Sequence, residues 1–383
     1  MYEPDYGRRS AGSSKEIIKM KILLLANHLN VGGITSYVYS LGCGMKAAGH
    51  YVYVAASGGE TLPKFKAAGI EFIRLPLNTK AEAGPKALFS LFRLLLQLRE
   101  KKIDIMHANT RVTQVVACLA ARFSGVPFVS TCHGFFKTRV FRRVFPCWGK
   151  RVIAVSQQVK EHLTDDFRVD AGRIRVIANG IDIAKFKAMD PGSKNEAKIK
   201  LGLGSGPVIG IVARLSDVKG HVYLIEAMQK VLLDIPAAQL VIAGDGKMKD
   251  TLVSLSKRLG IAEKVFFVPT LADTLDVLSA LDLFILPSLK EGLGLSLMEA
   301  MACGICSIGS NIGGIKTLIQ DGYSGILVEP KNINAIYRAI TGLLKDPAKR
   351  EMLGANGREF ITGRFSLEQM VSSTEGVYKE CLS

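Results

Sequence analysis

Short apolar segments alternate with helix-forming segments along almost the whole chain, in two successive series. The first series contains the apolar segments 21–26, 51–56 and 127–132, and the second begins at 208–212 and includes 283–286. Strands that alternate with helices form parallel sheets with helices on both faces. Open sheets of this kind bind ligands at the carboxyl ends of their strands. The sequence therefore predicts an α/β protein with two doubly wound, Rossmann-like domains that face each other across a central cleft.

The length of the chain and one change in its composition indicate the domain boundaries. A chain of 383 residues has room for two domains of ordinary size. Lys, Asp, Gly and Pro become frequent after about residue 183, which is typical of a linker. We expect a disordered leader over 1–19, an N-terminal domain over 20–185, a linker over 186–206, a C-terminal domain over 207–366 and a final helix over 367–383.

The positive charge of the chain is concentrated in its N-terminal half. Residues 1–200 carry 32 Lys and Arg against 15 Asp and Glu, a net charge of +17, whereas residues 201–383 have a net charge of −1. Such asymmetry indicates an anionic partner for the N-terminal domain. A membrane surface and a nucleic acid both qualify. Because no helix-turn-helix, zinc-finger or RNA-recognition signature occurs, we do not expect nucleic acid.

The segment 135–151 interleaves aromatic side chains with six basic ones, a composition typical of a contact with a membrane or a lipid acceptor. The residues expected at this contact are Phe135, Phe136, Lys137, Arg139, Arg142, Arg143 and Trp148. An anionic soluble acceptor, or solubility alone, is the alternative explanation of the basic face. The amphipathic segment 84–102 is expected to pack on the sheet instead.

Cysteine usage and hydropathy point to the cytoplasm. Seven scattered cysteines fit reduced thiols better than disulfides. No apolar run reaches the roughly 18 residues that a membrane-spanning helix needs. Cys303 and Cys306 form a C-x-x-C pair without a second pair or a His cluster, so we interpret them as packing residues. No D-x-D motif occurs, and no metal or other cofactor is expected.

The stretch Glu291-Gly-Leu-Gly-Leu-Ser-Leu-Met-Glu299 places two carboxylates eight positions apart, after a predicted strand and around a glycine loop that opens a helix. A helix N-terminus offers free N–H groups and the positive end of a dipole, which suit a phosphate. Carboxylates accept hydrogen bonds from sugar hydroxyls. The residues that this stretch contributes to a predicted nucleotide-sugar pocket are Glu291, Gly292, Leu293, Gly294, Leu295 and Glu299. An ordinary strand–loop–helix unit with two surface acids remains the alternative.

Two more loops in the C-terminal half follow predicted strands. Arg214 and Lys219 could clamp a diphosphate, Arg214 as a fork and Lys219 as a point charge. A solvated basic loop would have the same composition. Gly244 and Gly246 form a G-x-G that allows a backbone to approach a nucleotide closely, although a tight turn also uses this pattern.

Two loops in the N-terminal half are also expected at the cleft. The amides of Gly32 and Gly33 could hold the distal phosphate, or the pair could be a flexible turn. His133, followed by Gly134, stands just beyond a strand end, where a functional group facing the cleft is expected. Gly42-Cys-Gly44 matches the dinucleotide fingerprint but falls within a predicted helix, so NAD binding is discounted.

These motifs, in this order, resemble the GT4 family of retaining glycosyltransferases, which have the GT-B fold. The resemblance extends from Met20 over the rest of the chain. It implies catalytic roles for His133, Glu291, Arg214 and Lys219. Gly33, Arg214 and Lys219 would bind the donor diphosphate, Glu291 the donor sugar, Glu299 the ribose, and His133 would contact the transferred sugar.

The resemblance also implies the reaction. A hexosyl group would move, with retention and without a metal, from a nucleotide-sugar to an acceptor held by the N-terminal domain. We expect a UDP-sugar, with a GDP-sugar as the alternative, and a membrane-associated glycolipid, lipopolysaccharide or polysaccharide-precursor acceptor. The protein would lie peripherally on the inner face of the cytoplasmic membrane. The final helix typically crosses back onto the N-terminal domain.

Two other functions remain open on the same scaffold. One is a non-catalytic sugar-nucleotide-binding protein, and the other is an epimerase or phosphorylase that acts on soluble sugars. The chain departs from the family pattern at three sites. Lys316 and Thr317 replace a usual Pro-Glu, Cys306 replaces a usual proline, and Ile34 and Thr35 follow the first glycine loop where the family often has an acid.

Overall fold

A computed structural model of the chain describes residues 19–79, 84–138, 140–188, 191–271 and 273–383. The predicted leader over 1–19 therefore lies almost wholly outside the described residues. The elements of the N-terminal half are β1 Lys21–Leu25, α1 Gly33–Ala47, β2 Tyr51–Ala56, α2 Leu62–Ala67, β3 Glu71–Arg74, α3 Pro85–Lys101, β4 Ile105–Ala108, α4 Arg111–Ser124, β5 Phe128–Cys132, α5 Val140–Val144, β6 Arg151–Ala154, α6 Gln157–Phe167 and β7 Ile174–Val176.

The C-terminal half repeats the alternation of strands and helices. Its elements are α7 Pro191–Lys200, β8 Val208–Val212, α8 His221–Asp234, β9 Gln239–Ala243, α9 Lys249–Arg258, β10 Val265–Val268, α10 Leu275–Leu278, β11 Leu283–Leu286, α11 Leu295–Ala302, β12 Ser307–Ser310, α12 Ile315–Leu318, β13 Ile326–Val328, α13 Ile333–Lys345, α14 Pro347–Arg364 and α15 Leu367–Leu382. No helix in the described residues is long and apolar enough to cross a membrane.

The described strands form two wholly parallel sheets. The first has the order β3-β2-β1-β4-β5-β6-β7 and the second the order β10-β9-β8-β11-β12-β13. In both sheets the strand order reverses beside the first strand, between β1 and β4 and between β8 and β11. This reversal leaves a crevice at the carboxyl ends of those strands, which is the usual ligand site of doubly wound sheets. The prediction of two doubly wound parallel sheets is confirmed.

The central strands read as continuous apolar runs because helices cover both of their faces. Ile22, Leu23, Leu24 and Leu25 of β1 are all fully buried. The register sets Leu24 beside Val54 of β2 on one side and beside His107 of β4 on the other. A strand buried on both faces loses the period-2 alternation of a half-exposed strand, which explains why runs without alternation predicted strands correctly.

The last helix, α15, packs against α1 of the N-terminal domain. Met370, Val371 and Tyr378 are buried in the same cluster as the apolar face of α1. A Cβ at Gly44 of α1 would collide with the Val371 side chain. Gly44 therefore serves a close helix–helix contact, which explains a G-x-G inside a helix without any nucleotide.

The chain crosses between the domains twice, and the two crossings lie side by side. Ile181, on the outward crossing, forms a parallel bridge with Ser366 on the return. The Ile181 amide donates to the Phe365 carbonyl at 2.8 Å, and the Leu367 amide donates to the Ile181 carbonyl at 3.1 Å. The segment predicted as a linker is packed: Ala197 and Leu203 are buried in the same cluster as Val208 of β8.

Candidate active site

Loops from both domains meet where the two sheets present the carboxyl ends of their strands. The loops after β1 and β5 come from the N-terminal domain, and those after β8 and β11 come from the C-terminal domain. A Cβ at Gly292 would collide with the His133 carbonyl oxygen. The glycine loop after β11 therefore rests directly on the backbone after β5, and the cleft is closed at this point.

Lys219 and Glu291 form an ion pair inside the C-terminal face of the cleft. Lys219 Nζ lies 2.5 Å from Glu291 Oε2, and both side chains are largely buried. Ser288, just after β11, donates to the same oxygen at 3.3 Å. A largely buried ion pair whose carboxylate accepts a second hydrogen bond holds its ammonium group in a fixed place. The structure thus pairs two residues that the sequence could only place on separate loops.

Two helix N-termini meet across the cleft. Gly33 is the first residue of α1 and Leu295 the first residue of α11. A Cβ at Gly33 would lie 3.5 Å from Leu295 Cδ1. Within the described residues, neither N-terminus has a side-chain cap; Gly32 and Gly294 occupy the cap positions. Uncapped helix N-termini have free backbone N–H groups and favour anions.

Arg214 lies on the loop between β8 and α8 that also carries Lys219, and its side chain is exposed. The loop that carries it is held by backbone contacts with the loop after β9. A Cβ at Gly244 would collide with the Ala213 carbonyl, and one at Gly246 with the Leu215 carbonyl. The Leu215 amide also donates to the Asp245 carbonyl at 3.0 Å. Gly244 and Gly246 therefore support the Arg214 loop, a reason for the G-x-G that sequence reasoning missed.

His133 lies at the floor of the cleft, partly exposed, beside two residues of its own domain. Its Nε2 lies 3.2 Å from Asn109 Oδ1. Its ring packs edge-on against Tyr37 with centroids 4.7 Å apart. Burial lowers the pKa of His133 to about 3, so the imidazole is neutral at physiological pH. Because an amide oxygen only accepts, Nε2 carries the proton and Nδ1 is an acceptor.

Glu299 lies just over one turn into α11 and accepts a hydrogen bond from Thr274 Oγ1 at 2.9 Å. Burial raises the pKa of its carboxyl to about 7, while the Thr274 hydrogen bond and the positive charges of Lys185 and Lys64 act in the opposite direction. Lys185 itself is paired with Asp273 at 3.0 Å. Glu299 is therefore held at a fixed place and titrates near neutrality.

The remaining residues of the glycine loop act through their backbone. Leu293 is only 2% exposed, so its side chain belongs to the core. The Gly314 amide donates to the Glu291 carbonyl at 3.1 Å, which ties the loop after β12 to that after β11. Phe135 reaches across the cleft, and its ring lies 3.4 Å from where a Cβ of Gly313 would be.

The segment 135–148 differs from the predicted membrane contact. Trp148 is 4% exposed and packs edge-on against Phe167 and beside Phe136, so this ring belongs to the core and is not available to a membrane. Arg142 stacks over Phe136 at 4.3 Å. Lys137 and Arg143 are exposed, whereas Arg139 lies outside the described residues. The aromatic residues of this segment thus form a small local core, and a basic residue stacks on that core through a cation–π interaction.

Sequence reasoning missed four residues of the site, two of which an available rule could have found. Asn109 follows β4, and Ser288 follows β11, so the strand-end rule that selected His133 would also have selected them. Tyr37 lies within α1 and Thr274 just before α10, and the sequence around them does not mark either residue as part of a site. Only the packing of α1 and α10 brings them to the site.

Potential metal ligands do not converge in the described part of the chain: no group of three or more His, Cys, Asp and Glu side chains could hold an ion there. Cys303 and Cys306 are both buried, and burial raises the pKa of each thiol to about 12. The pair therefore packs α11 against β12 as protonated thiols, as the sequence interpretation held.

The two parallel sheets that face each other across a cleft have the GT-B fold, and comparison with known families identifies the class of protein as a glycosyltransferase. The model described as Glycosyltransferase Family 4 matches residues 31–185, and that described as Glycosyl transferases group 1 matches residues 193–360. The chain belongs to glycosyltransferase family 4. The resemblance inferred from the motifs is confirmed.

Individual relatives agree with this assignment. The UDP-Gal:α-D-GlcNAc-diphosphoundecaprenol α-1,3-galactosyltransferase of Escherichia coli is 30% identical over 310 residues, 76% of this chain and 79% of that protein. An uncharacterized glycosyltransferase of Methanocaldococcus jannaschii is 30% identical over 380 residues, 91% and 94% of the two chains. HepE of Anabaena, solved with UDP and glucose, shares the fold with a TM-score of 0.84 at 23% identity, over 94% of this chain and 99% of that one.

Proposed function

We propose that the protein transfers a hexosyl group, with retention of anomeric configuration and without a metal, from a UDP-sugar to a lipid-linked or glycan acceptor at an anionic membrane surface. One observation carries this proposal above the others. Two uncapped helix N-termini, at Gly33 and Leu295, meet across the cleft, and the loop before Leu295 carries Glu291, which holds Lys219. Free N–H groups, two helix dipoles and a nearby cation suit a diphosphate, and Arg214 on the loop of Lys219 would add a second cation.

The chemistry follows from where charge develops. The bond between the anomeric carbon and the donor phosphate oxygen breaks, and its electron pair goes to the diphosphate. The acceptor hydroxyl oxygen forms the new bond to the anomeric carbon, and its proton passes to the departing diphosphate. Lys219, fixed by Glu291 at 2.5 Å, and Arg214 would stabilise the charge that grows on the diphosphate. Preorganised cations need no reorganisation as the bond breaks, and they can replace a divalent ion in this role.

The other predicted residues take roles that agree with their contacts. Glu299 would accept hydrogen bonds from the ribose, and Glu291 from hydroxyls of the donor sugar. His133, neutral because of burial, would offer a hydrogen-bonding group to the transferred sugar without adding a charge near the reacting carbon. The N-terminal domain would hold the acceptor.

The choice of UDP, and of a lipid-linked acceptor, rests on relatives and on charge. The Escherichia coli galactosyltransferase is named for a UDP-sugar donor and a diphosphoundecaprenol-linked acceptor. The Anabaena structure contains UDP and glucose. Residues 1–200 carry a net charge of +17, which favours a peripheral position on the inner, anionic face of the cytoplasmic membrane.

A donor and acceptor screen tests the proposal. Purified protein is offered UDP-, GDP- and ADP-sugars, with and without a polyprenyl-diphosphate-linked sugar, and nucleotide release is measured. We expect release from a UDP-sugar that depends on the acceptor. Nucleotide binding without release would indicate a non-catalytic binding protein. Release or isomerisation that does not depend on the acceptor would indicate an epimerase or phosphorylase.

A further inference from the structure

Helix α3, Pro85–Lys101, is apolar on two opposite faces. Ala87, Leu94 and Leu98 are buried against the N-terminal sheet and α4. On the other side, four large apolar residues stand in solvent with exposed fractions between 53% and 63%. They are Leu88, Phe89, Phe92 and Leu96.

The spacing of these four residues makes them a single stripe. Leu88, Phe92 and Leu96 recur every fourth residue, and Phe89 lies beside them, so all four occupy about 100° of the helix surface. A helix on the surface of a soluble domain normally turns polar side chains, not large apolar ones, away from the core. A contiguous exposed apolar stripe marks an interaction surface. The described residues of the chain therefore leave the outward, apolar face of α3 uncovered.

A basic cavity adjoins the N-terminal end of this stripe. It has a volume of about 300 Å³, and Phe89 shares its wall with Arg74, Lys86 and Arg93. The described lining residues include no carboxylate. The guanidinium of Arg93 lies over the Phe89 ring, 6.0 Å from its centroid, which joins the cavity to the stripe. A basic cavity beside an apolar stripe matches an amphiphile with an anionic head.

We propose that the exposed stripe of α3 and its basic cavity form the surface by which the protein docks on an anionic phospholipid bilayer. The stripe would enter the interface between headgroups and acyl chains, while Arg74, Lys86 and Arg93 contact lipid phosphates. The charge of the chain favours this occupant over a second copy, because a domain with a net charge of +17 repels itself. This inference rests on the proposed function, in which the acceptor is membrane-bound. It assigns the membrane contact to α3 in place of the segment 135–148.

The position of this surface also fits the proposed reaction. Arg74 is the last residue of β3 and lies at the carboxyl edge of the N-terminal sheet, as do the loops that carry Gly33 and His133. Docking through α3 would therefore bring the cleft close to the membrane while the C-terminal domain, with a net charge of −1 over residues 201–383, stays in solution.

Vesicle co-sedimentation of the full chain tests the docking surface without donor or acceptor, so its outcome is separate from that of the transfer assay. Neutral phosphatidylcholine vesicles are compared with vesicles that contain phosphatidylglycerol, at low and high salt. We expect the wild type to partition to the anionic vesicles. Phe89→Ser/Phe92→Ser should reduce partitioning by more than about 10-fold, and Arg74→Ser/Arg93→Ser by about 30-fold.

Matched variants control for lost apolar surface and lost charge elsewhere. Leu233→Ser/Met352→Ser removes two side chains that are 82% and 51% exposed, and Lys257→Ser/Arg258→Ser removes two exposed cations; both should bind like the wild type. Circular dichroism verifies folding of each variant. Losses of vesicle partitioning in the control variants that equal those in the α3 and cavity variants would overturn the proposal. So would loss of binding in Arg142→Ser/Arg143→Ser alone, or a wild-type dimer that the α3 variants dissociate.

Discussion

The hydroxyl of Tyr378, on the last helix of the chain, lies 2.6 Å from Nδ1 of His107 in the core of the N-terminal domain. The other ring nitrogen of His107 lies 2.6 Å from Thr131 Oγ1, and Thr131 in turn lies 3.2 Å from the Tyr37 hydroxyl. Tyr37 packs edge-on against His133. Hydrogen bonds from Tyr378 to Tyr37, followed by this ring contact, thus link the C-terminal helix to His133.

Removing the Tyr378 hydroxyl should weaken both the fold and the site. Tyr378→Phe leaves a buried ring nitrogen of His107 without its partner, which costs about 1–3 kcal/mol of the free energy of unfolding. We expect a lower Tm and a decrease in kcat/KM of less than about 10-fold, since His133 is affected only through Tyr37. Tyr323→Phe, at a ring that is 45% exposed, is the control. An unchanged Tm would contradict a structural role for this hydrogen bond.

The two proposed diphosphate cations should be worth most in the transition state. Lys219→Ala or Arg214→Ala is expected to lower kcat/KM by about 10²-fold or more, the scale for removing one stabilising group of this kind. Steady-state kinetics with the best donor from the screen measure the effect. Lys257→Ala, an exposed cation on α9, should leave kcat/KM within about twofold of wild type. Wild-type turnover in both the Lys219 and the Arg214 variant would contradict the proposed mechanism.

The raised pKa of Glu299 makes a stability prediction with a definite sign. Burial raises the pKa to about 7 from an ordinary 4.5. Between these values the unfolded chain releases a proton that the folded chain keeps. The contribution of the neutral Glu299 carboxyl to the free energy of unfolding is therefore complete below pH 4.5, and it is lost as the pH rises to about 7.

Glu299→Gln cannot ionise, so its Tm should rise relative to that of the wild type between about pH 4.5 and 7 and then stay at a constant difference. Thermal unfolding in a series of buffers gives the comparison. Glu263→Gln replaces an exposed acid and should show no such trend. A Tm difference that does not vary with pH would mean that the Glu299 carboxyl titrates normally.

Closure of the cleft at Gly292 can be tested by one methyl group. Gly292→Ala places a Cβ against the His133 carbonyl, so the glycine loop cannot rest on the N-terminal domain. We expect kcat/KM to fall by more than about 10-fold, and small-angle scattering to show a larger radius of gyration. Gly342→Ala, in α13 with open space around it, should have neither effect. Unchanged scattering together with unchanged activity would show that this contact is not required.

How far the sequence predicts this molecule depends on whether a feature is local. β1 and β8 were predictable because a strand buried on both faces is apolar throughout, and the strand-end rule selected His133, Lys219 and Glu291. The 2.5 Å pairing of Lys219 with Glu291 was not predictable, since it depends on how two loops of one domain approach each other.

Burial of individual aromatic residues was the least predictable property. Trp148 stands among basic residues in sequence and yet is 4% exposed, because α6 and Phe136 cover it. Phe92 stands in a helix that looked like an ordinary sheet-packing helix and yet is 63% exposed. Composition identifies which residues are apolar, but which apolar side chains of a helix are covered depends on the tertiary arrangement.

The side-by-side crossings at Ile181 and Ser366 have a consequence for synthesis of the protein. Residues 367–382 supply Met370, Val377 and Tyr378 to a core that otherwise consists of N-terminal residues. During translation that core stays incomplete while the ribosome makes the entire C-terminal domain. The N-terminal core therefore receives its last side chains only after the whole C-terminal domain has been made, although its sheet is translated first.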